Sequence, residues 1–275
     1  MTTPIIGFIG AGNMARSLAG GLLASGYDAN ALLLSDPNPE LRAEFCASLA
    51  LSVVDDNAAV AARADILLFA VKPQVMQAVA GGLHAAAQRR RPLIVTIAAG
   101  IRAADLERWL GGNLPVVRVM PNTPALVGAG AAGLYANARV TAAQRDQAEA
   151  ILRAVGITVW IEDEALMDIV TAVSGSGPAY FFLVMEALEN AAIKSGLGAA
   201  AARLLAVQTA FGAAKMALES GDDPGALRAR VTSPGGTTER ALRVLYQADI
   251  AALFDRAVTA ARDRGRELAD QLGKQ

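Results

Sequence analysis

Through residue 162 the chain alternates short β-branched or leucine-rich runs with stretches whose apolar positions recur at helical spacing. The runs at 5–9, 31–35, 66–70, 93–97, 116–120 and 157–161 read as buried strands, with helical patterns between most of them. That alternation predicts an α/β fold: a doubly wound parallel sheet with helices on both faces and right-handed crossovers. From 163 onward the texture changes. Long helical periods run over 178–195, 199–220, 237–247 and 250–272, with no convincing strand among them. Apolar positions in 181–192 nearly surround their helix, which predicts central burial. The acidic patch Glu162-Asp163-Glu164 marks the join, and no repeat or Pro/Ser linker separates the two parts. Two closely packed domains are expected, 1–162 and 163–275.

The turn after the first run reads G-F-I-G-A-G-N-M-A, residues 7–15. Gly10, Gly12 and Ala15 fit G-x-G-x-x-G/A. In that pattern the first glycine permits the tight turn, the second lets a pyrophosphate approach the backbone, and the small third residue lets helix pack on strand. A strand precedes the turn, a helical pattern over 13–25 follows it, and Asp36 closes the next apolar run. Together these read as a dinucleotide site on a Rossmann-type sheet, with the N–H groups of the helix start turned to the phosphates.

Ligands of open α/β sheets lie beyond the carboxyl ends of the strands. Ser35-Asp36-Pro37-Asn38 follows the second run, where the adenosine ribose is read. Val71-Lys72-Pro73-Gln74, Ala98-Ala99-Gly100 and Pro121-Asn122-Thr123-Pro124 follow the next three runs. Small, proline-fixed loops of this kind suit a flat nicotinamide. In the helical half, S-G-S-G-P-A-Y (174–180) and T-S-P-G-G-T-T (232–238) place hydroxyls and backbone N–H groups at helix starts. They form a natural cradle for a carboxylate, with helix capping alone as the alternative reading of the same residues.

The charge balance, 25 Lys and Arg against 26 Asp and Glu, gives no reason to expect nucleic acid or an anionic membrane as partner. Arg89-Arg90-Arg91 reads as a solvated helix end. Hydrophobic residues make up 53% of the chain, yet no uninterrupted apolar run reaches the ~18 residues of a membrane span. Much of the excess is alanine on helices, whose faces another subunit would cover. The single cysteine, Cys46, excludes an internal disulfide, and with the single histidine, His84, it excludes a Cys/His metal cluster; no metal is expected. Cys46 reads as a small core residue and His84 as a surface one. Met1-Thr2-Thr3-Pro4 runs directly into the first strand, so no leader is expected and the cytoplasm is the expected compartment.

Taken in order, six motifs resemble those of the pyrroline-5-carboxylate reductases: 7–15, A-V-K-P-Q (70–74), A-A-G-I (98–101), M-P-N-T-P-A (120–125), A-V-S-G-S-G-P-A-Y (172–180) and V-T-S-P-G-G-T-T (231–238). The resemblance covers essentially the whole chain. It implies a Rossmann domain followed by an all-α dimerisation domain that intertwines with its mate. The homodimer would share its active sites and could build larger assemblies. It further implies reduction of 1-pyrroline-5-carboxylate to L-proline with NADPH and/or NADH. By the same resemblance, Gly10, Ala11, Gly12, Asn13 and Met14 hold the pyrophosphate, and Ser35, Asp36 and Asn57 surround the adenosine ribose. Ala70, Val71, Lys72, Pro73, Ala99, Gly100, Pro121 and Asn122 border the nicotinamide. Ser233, Gly236, Thr237 and Thr238 form the substrate-carboxylate loop, Thr238 also meets the ring nitrogen as the catalytic residue, and Glu164 lies on the substrate side. A carboxylate at Asp36 favours NADH by repelling a 2′-phosphate. Arg42, about one helical turn away, offsets that charge, so both cofactors are expected to be accepted.

Imine reduction asks little of the protein. Once the nitrogen is protonated the carbon is electrophilic and no alkoxide forms, so positioning and exclusion of water suffice. A β-hydroxyacid dehydrogenase-like enzyme would need a lysine on the helix after 174–177, but that helix reads P-A-Y-F-F-L-V-M-E-A-L and its first lysine is Lys194. A related imine reductase with a bulkier substrate would share these loops, since loop motifs do not set pocket volume. A non-catalytic dinucleotide sensor would share the first domain but has no use for 232–238.

Overall fold

In the computed structural model, which describes residues 3–274, the apolar runs build one eight-stranded sheet. Its strands are β1 (Ile6–Ile9), β2 (Leu32–Ser35), β3 (Val53–Val54), β4 (Ile66–Phe69), β5 (Leu93–Thr96), β6 (Val116–Met120), β7 (Gly130–Ala136) and β8 (Gly156–Trp160). They lie in the order β3-β2-β1-β4-β5-β6-β7-β8. The helices interleaved with them are α1 (Asn13–Ala24), α2 (Pro39–Leu49), α3 (Asn57–Ala61), α4 (Met76–Arg90), α5 (Ala103–Trp109) and α6 (Ala142–Arg153). After β8 come α7 (Met167–Val170), a π-turn (Thr171–Gly175), α8 (Gly177–Lys194), α9 (Ala199–Glu219), α10 (Pro224–Arg230), α11 (Thr237–Gln247) and α12 (Ile250–Gly273).

Alternate side chains of the strands feed two cores, one on each face of the sheet. Phe8, Leu34, Leu68 and Val117 meet α1, α2 and α6 through Leu18, Phe45 and Ile151. Ile9, Leu67, Phe69 and Ile94 meet α3, α4 and α5 through Val60, Met76 and Leu106. This is the two-sided burial that makes parallel strands read as continuous apolar runs. The expected all-parallel sheet needs one correction: β7 runs antiparallel to β6. The connection 121–129 is too short for the dozen or so residues that a parallel crossover requires. β3 and β7 were not expected at all. The first has two residues, and the second (G-A-A-G-L-Y-A) contains no β-branched residue. One of its two glycines matters for packing against α7, because a Cβ on Gly133 would lie 2.6 Å from Val170 Cγ1.

The chain forms two compact units. One runs up to Gly175 and resumes at Ala261, and the other is Ser176–Ala260. The join expected at 162/163 therefore falls inside the first unit, and the cause is visible in buried charges. Arg118, on β6, is 4% exposed and lies between Glu164 Oε1 and Asp168 Oδ1, 3.3 Å from each. Glu164 Oε1 also accepts the Ala103 amide at 2.7 Å. Farther along, Arg102 pairs with Asp270 of α12. That hydrogen bond raises the guanidinium pKa of Arg102 and holds the Asp270 carboxyl below the usual range. Residues 164–175 are thereby fastened to β6, and the end of α12 to the start of α5.

In the second unit α8 and α9 pack on each other and are tied by Arg203 to Glu189 at 3.2 Å. Here the structure corrects the expected burial of 181–192. Phe181 is 66% exposed, and Phe182, Leu183 and Leu188 are exposed with it, as are Leu204, Leu205 and Phe211 of α9. The helix is apolar on nearly every side, but the chain does not supply the surface that would cover it. By length and composition alone, Glu164–Lys194 also meets the requirement for a membrane span. Counting uninterrupted apolar runs overlooked this because Ser174, Ser176 and Pro178 punctuate the stretch. Cys46 is likewise corrected from core to exposed. One residue earlier, Phe45 takes the buried stripe of α2, and the next position lies about 100° round the helix.

Two substitutions test this packing. A Cβ on Gly21 of α1 would stand 2.6 Å from both Ala154 O and Val155 Cγ1. Gly21→Ala should therefore lower the urea midpoint although helix propensity alone favours alanine by about 1 kcal/mol; a raised midpoint would contradict the close approach. Arg118→Met strands two carboxylates and should cost about 3–5 kcal/mol in urea unfolding, whereas a loss below about 1 kcal/mol would mean that the pairs are not buried as described.

Candidate active site

The glycine turn is shaped by what a side chain would strike. Gly10 has φ +102°, and a Cβ there would lie 2.8 Å from Ala70 O. Its amide donates to Ser35 O at 2.8 Å, so the turn is fastened to the end of β2. Gly12 then caps α1 in extended conformation, and no side chain accepts from the first turn of that helix. A Cβ on Gly12 would meet nothing within 4 Å. The first amides of α1, which have no intrahelical acceptor, face open space. Five other helix starts are closed instead: Asn38 caps α2, Asp56 caps α3, Thr141 caps α6, Asp223 caps α10, and Glu164 takes the first amide of α5. An open glycine, a positive dipole end and free N–H groups are the donor set that a pyrophosphate needs.

The structure brings Gly10–Met14, Ser35, Asp36, Asn57, Ala70–Pro73, Ala99, Gly100, Pro121 and Asn122 to one edge of the sheet, beyond the carboxyl ends of β1 to β6. β1 lies between β2 and β4, so the winding reverses at the glycine turn, the place where α/β sheets take ligands. Several side chains there are already engaged. Ser35 is fully buried, with its hydroxyl donating to Phe8 O at 3.4 Å. Asp36, 8% exposed, accepts the Ala11 amide at 2.8 Å and the Asn38 amide at 2.8 Å. Asn122 donates to Ser174 O at 3.1 Å and accepts the Ala131 amide at 2.9 Å, which ties the 121–124 loop to the π-turn. Lys72 and Ala99 are exposed, and Gly100 turns at φ +76°.

Glu164 is held by Arg118 and Ala103 through one oxygen. Arg118 and Asp168 were not picked out from the sequence, although a lone arginine inside the apolar run V-V-R-V-M signals a buried partner. Tyr135 lies opposite Arg118 across the β6–β7 pair. Burial, then the nearby Glu164 and Asp163, push its phenol pKa above the ordinary value. Among the described residues, no group of His, Cys, Asp and Glu could hold a metal ion.

In the other unit, α11 also starts open: its cap is Gly236 and no side chain accepts from its first turn. Capping alone therefore does not describe 232–238. Gly235, at φ +73°, donates to Glu239 Oε2 at 2.9 Å, and Gly236 donates to Ser233 O at 3.0 Å, so the loop is shaped before any ligand arrives. Thr238 lines an apolar cavity of about 360 Å³ with Met216, Leu227, Val231 and Leu242. At 174–180, Ser174 donates back to Val170 O at 2.9 Å and α8 again has no side-chain cap.

Comparison with known proteins gives these features a family. The model for pyrroline-5-carboxylate reductase dimerisation matches residues 164–268, and that for NADP oxidoreductase, coenzyme F420-dependent, matches residues 5–100. Pyrroline-5-carboxylate reductase of Pseudomonas aeruginosa is 55% identical over 274 residues and all of both chains. Among solved structures, the pyrroline-5-carboxylate reductase of Coxiella burnetii superposes with a TM-score of 0.93 at 43% identity, covering 97% of this chain and 99% of that one. The Plasmodium falciparum pyrroline carboxylate reductase, solved with NADP bound, gives 0.86 at 30% identity, covering 98% and 99%. The chain belongs to the pyrroline-5-carboxylate reductase family.

Proposed function

We propose that the protein reduces 1-pyrroline-5-carboxylate to L-proline, the last step of proline biosynthesis, using NADPH or NADH in the cytoplasm. The observation that carries this reading is a pair of open helix starts, α1 behind the glycine turn and α11 behind T-S-P-G-G-T-T. The end-to-end likeness to the Pseudomonas enzyme supports it.

The turn Gly10–Met14 holds the pyrophosphate, with the amides of Gly12, Asn13 and Met14 facing it and those of Gly10 and Ala11 fastening the turn. Ser35, Asp36 and Asn57 enclose the adenosine ribose. Ala70–Pro73, Ala99, Gly100, Pro121 and Asn122 wall the nicotinamide and keep water from it. When bound, the reduced nicotinamide supplies a hydride. Ser233, Gly236 and Thr237 hold the substrate carboxylate through hydroxyl and amide donors, each charge-assisted bond contributing about 1.5–3 kcal/mol. Thr238 holds the ring nitrogen through its hydroxyl and so orients the C=N bond. Glu164, fixed by Arg118 and Ala103, sets the segment that leads to 174–180.

The division of labour is dinucleotide binding by 1–162 and substrate binding with dimerisation by 163–275. The exposed apolar side chains of α8 and α9 meet a second copy of the chain rather than a bilayer. Active sites are shared in the resulting homodimer, from which larger assemblies are built.

Thr238→Ala should lower turnover of 1-pyrroline-5-carboxylate about 10²-fold while NADPH binding stays as in the wild type. Steady-state oxidation of the reduced cofactor measures this. An unchanged kcat/KM would remove Thr238 from the chemistry. Wild-type protein that binds NADPH yet oxidises none when the imine is added would remove the reductase.

A further inference from the structure

We propose that Asp36 is a positioning residue that holds the glycine turn, and that discrimination between NADPH and NADH at this edge belongs to Arg42. The proposal rests on the dinucleotide reading of the turn. It goes beyond that reading by separating two roles that a carboxylate at the end of β2 is usually given together.

Every polar end of Asp36 has a partner within the chain. Its Oδ2 accepts from Ala11 N–H and its Oδ1 from Asn38 N–H, both at 2.8 Å. Its own amide donates to Val54 O at 3.0 Å, and its carbonyl accepts from Arg42 Nη1 at 3.0 Å. Ala11 is the middle residue of G-A-G. Turning its amide toward Asp36 leaves Gly12 and the first residues of α1 to face the ligand. With the Gly10 amide on Ser35 O at 2.8 Å, the turn is held at two successive residues. A buried carboxylate bonded to two amides is a strong tether. Its loss would misplace the pyrophosphate site for either dinucleotide alike.

The charge that a 2′-phosphate would meet is different. Arg42 lays its guanidinium over the loop after β2, with Nη1 bonded to the carbonyls of both Asp36 and Pro37 at 3.0 Å. Backbone holds that cation in place, and the guanidinium has three further N–H donors. Beyond the carboxyl end of β2, where the ribose 2′ position is read, a fixed guanidinium offsets the repulsion expected of Asp36. It also gives a phosphate a charge-assisted partner.

The test measures melting of the cofactor-free protein and equilibrium binding of NADP⁺ and NAD⁺, without any imine. Asp36→Ser should lower the melting temperature by several degrees. It should weaken both dinucleotides about tenfold, leaving the ratio of their affinities within about threefold of wild type. Asp36→Asn, which keeps an acceptor for the Ala11 amide, should recover most of the affinity for both. Arg42→Met should weaken NADP⁺ about tenfold and leave NAD⁺ and the melting temperature near wild type. The proposal is overturned if Asp36→Ser leaves melting unchanged and moves the ratio tenfold or more toward NADP⁺, or if Arg42→Met weakens both dinucleotides equally. Wild-type protein that binds neither would instead overturn the dinucleotide reading beneath it.

Discussion

A helix start whose amides are left without an acceptor is the constraint around which this chain is arranged. At α1 the cap is Gly12, and the first turn is offered no side-chain oxygen. Putting glycine there instead of serine or aspartate costs the helix only a few tenths of a kcal/mol. An anion seated on the same amides gains about 1.5–3 kcal/mol per charge-assisted bond. The balance favours ligand over cap, and the surroundings keep the site open. Gly10 avoids Ala70 O, Ala11 is drawn aside by Asp36, and the space beyond Gly12 is clear.

The same device recurs at α11, where Gly236 replaces a capping side chain and Glu239 shapes the loop from behind. One start suits a pyrophosphate, and the other, flanked by serine and threonine hydroxyls, suits a carboxylate. An imine whose acid group is gripped needs little further chemistry. Once the nitrogen is protonated, the imine carbon accepts a hydride without a strong acid, which accounts for a chain whose single histidine lies exposed on α4. The buried ions serve a separate purpose. Arg118, Glu164 and Asp168 fasten the segment before the S-G-S-G-P loop to β6, and Asn122 holds the π-turn by its carbonyl.

Most of the first unit was legible in the sequence because its strands are buried on both faces and therefore read as unbroken apolar runs. β7 was not, since G-A-A-G-L-Y-A is selected for closeness to Val170 rather than for β propensity. The long helices of the second unit were legible almost to the residue, but the short α10 and the surroundings of all of them were not. An all-round apolar helix signals that something covers it, and periodicity alone cannot tell whether that cover comes from the same chain; on α8 it does not. At the site, the residue types were readable and their engagements were hidden. Asp36 is bonded to two amides and Glu164 to Arg118, engagements that the residue types alone do not announce. Sequence spacing carries helix starts and turns well, because these are local. It carries tertiary hydrogen bonds poorly, because Asp36 meets Ala11 and Arg118 meets Asp168 across the fold.

The claim that an open helix start grips the substrate's acid group is tested most directly by removing that group. Steady-state kinetics with NADPH should be compared for 1-pyrroline-5-carboxylate and for 1-pyrroline, the same ring imine without its carboxylate. Two lost charge-assisted bonds require kcat/KM to fall by about 10² or more. Values within about threefold of each other would mean that the loop before α11 holds no carboxylate.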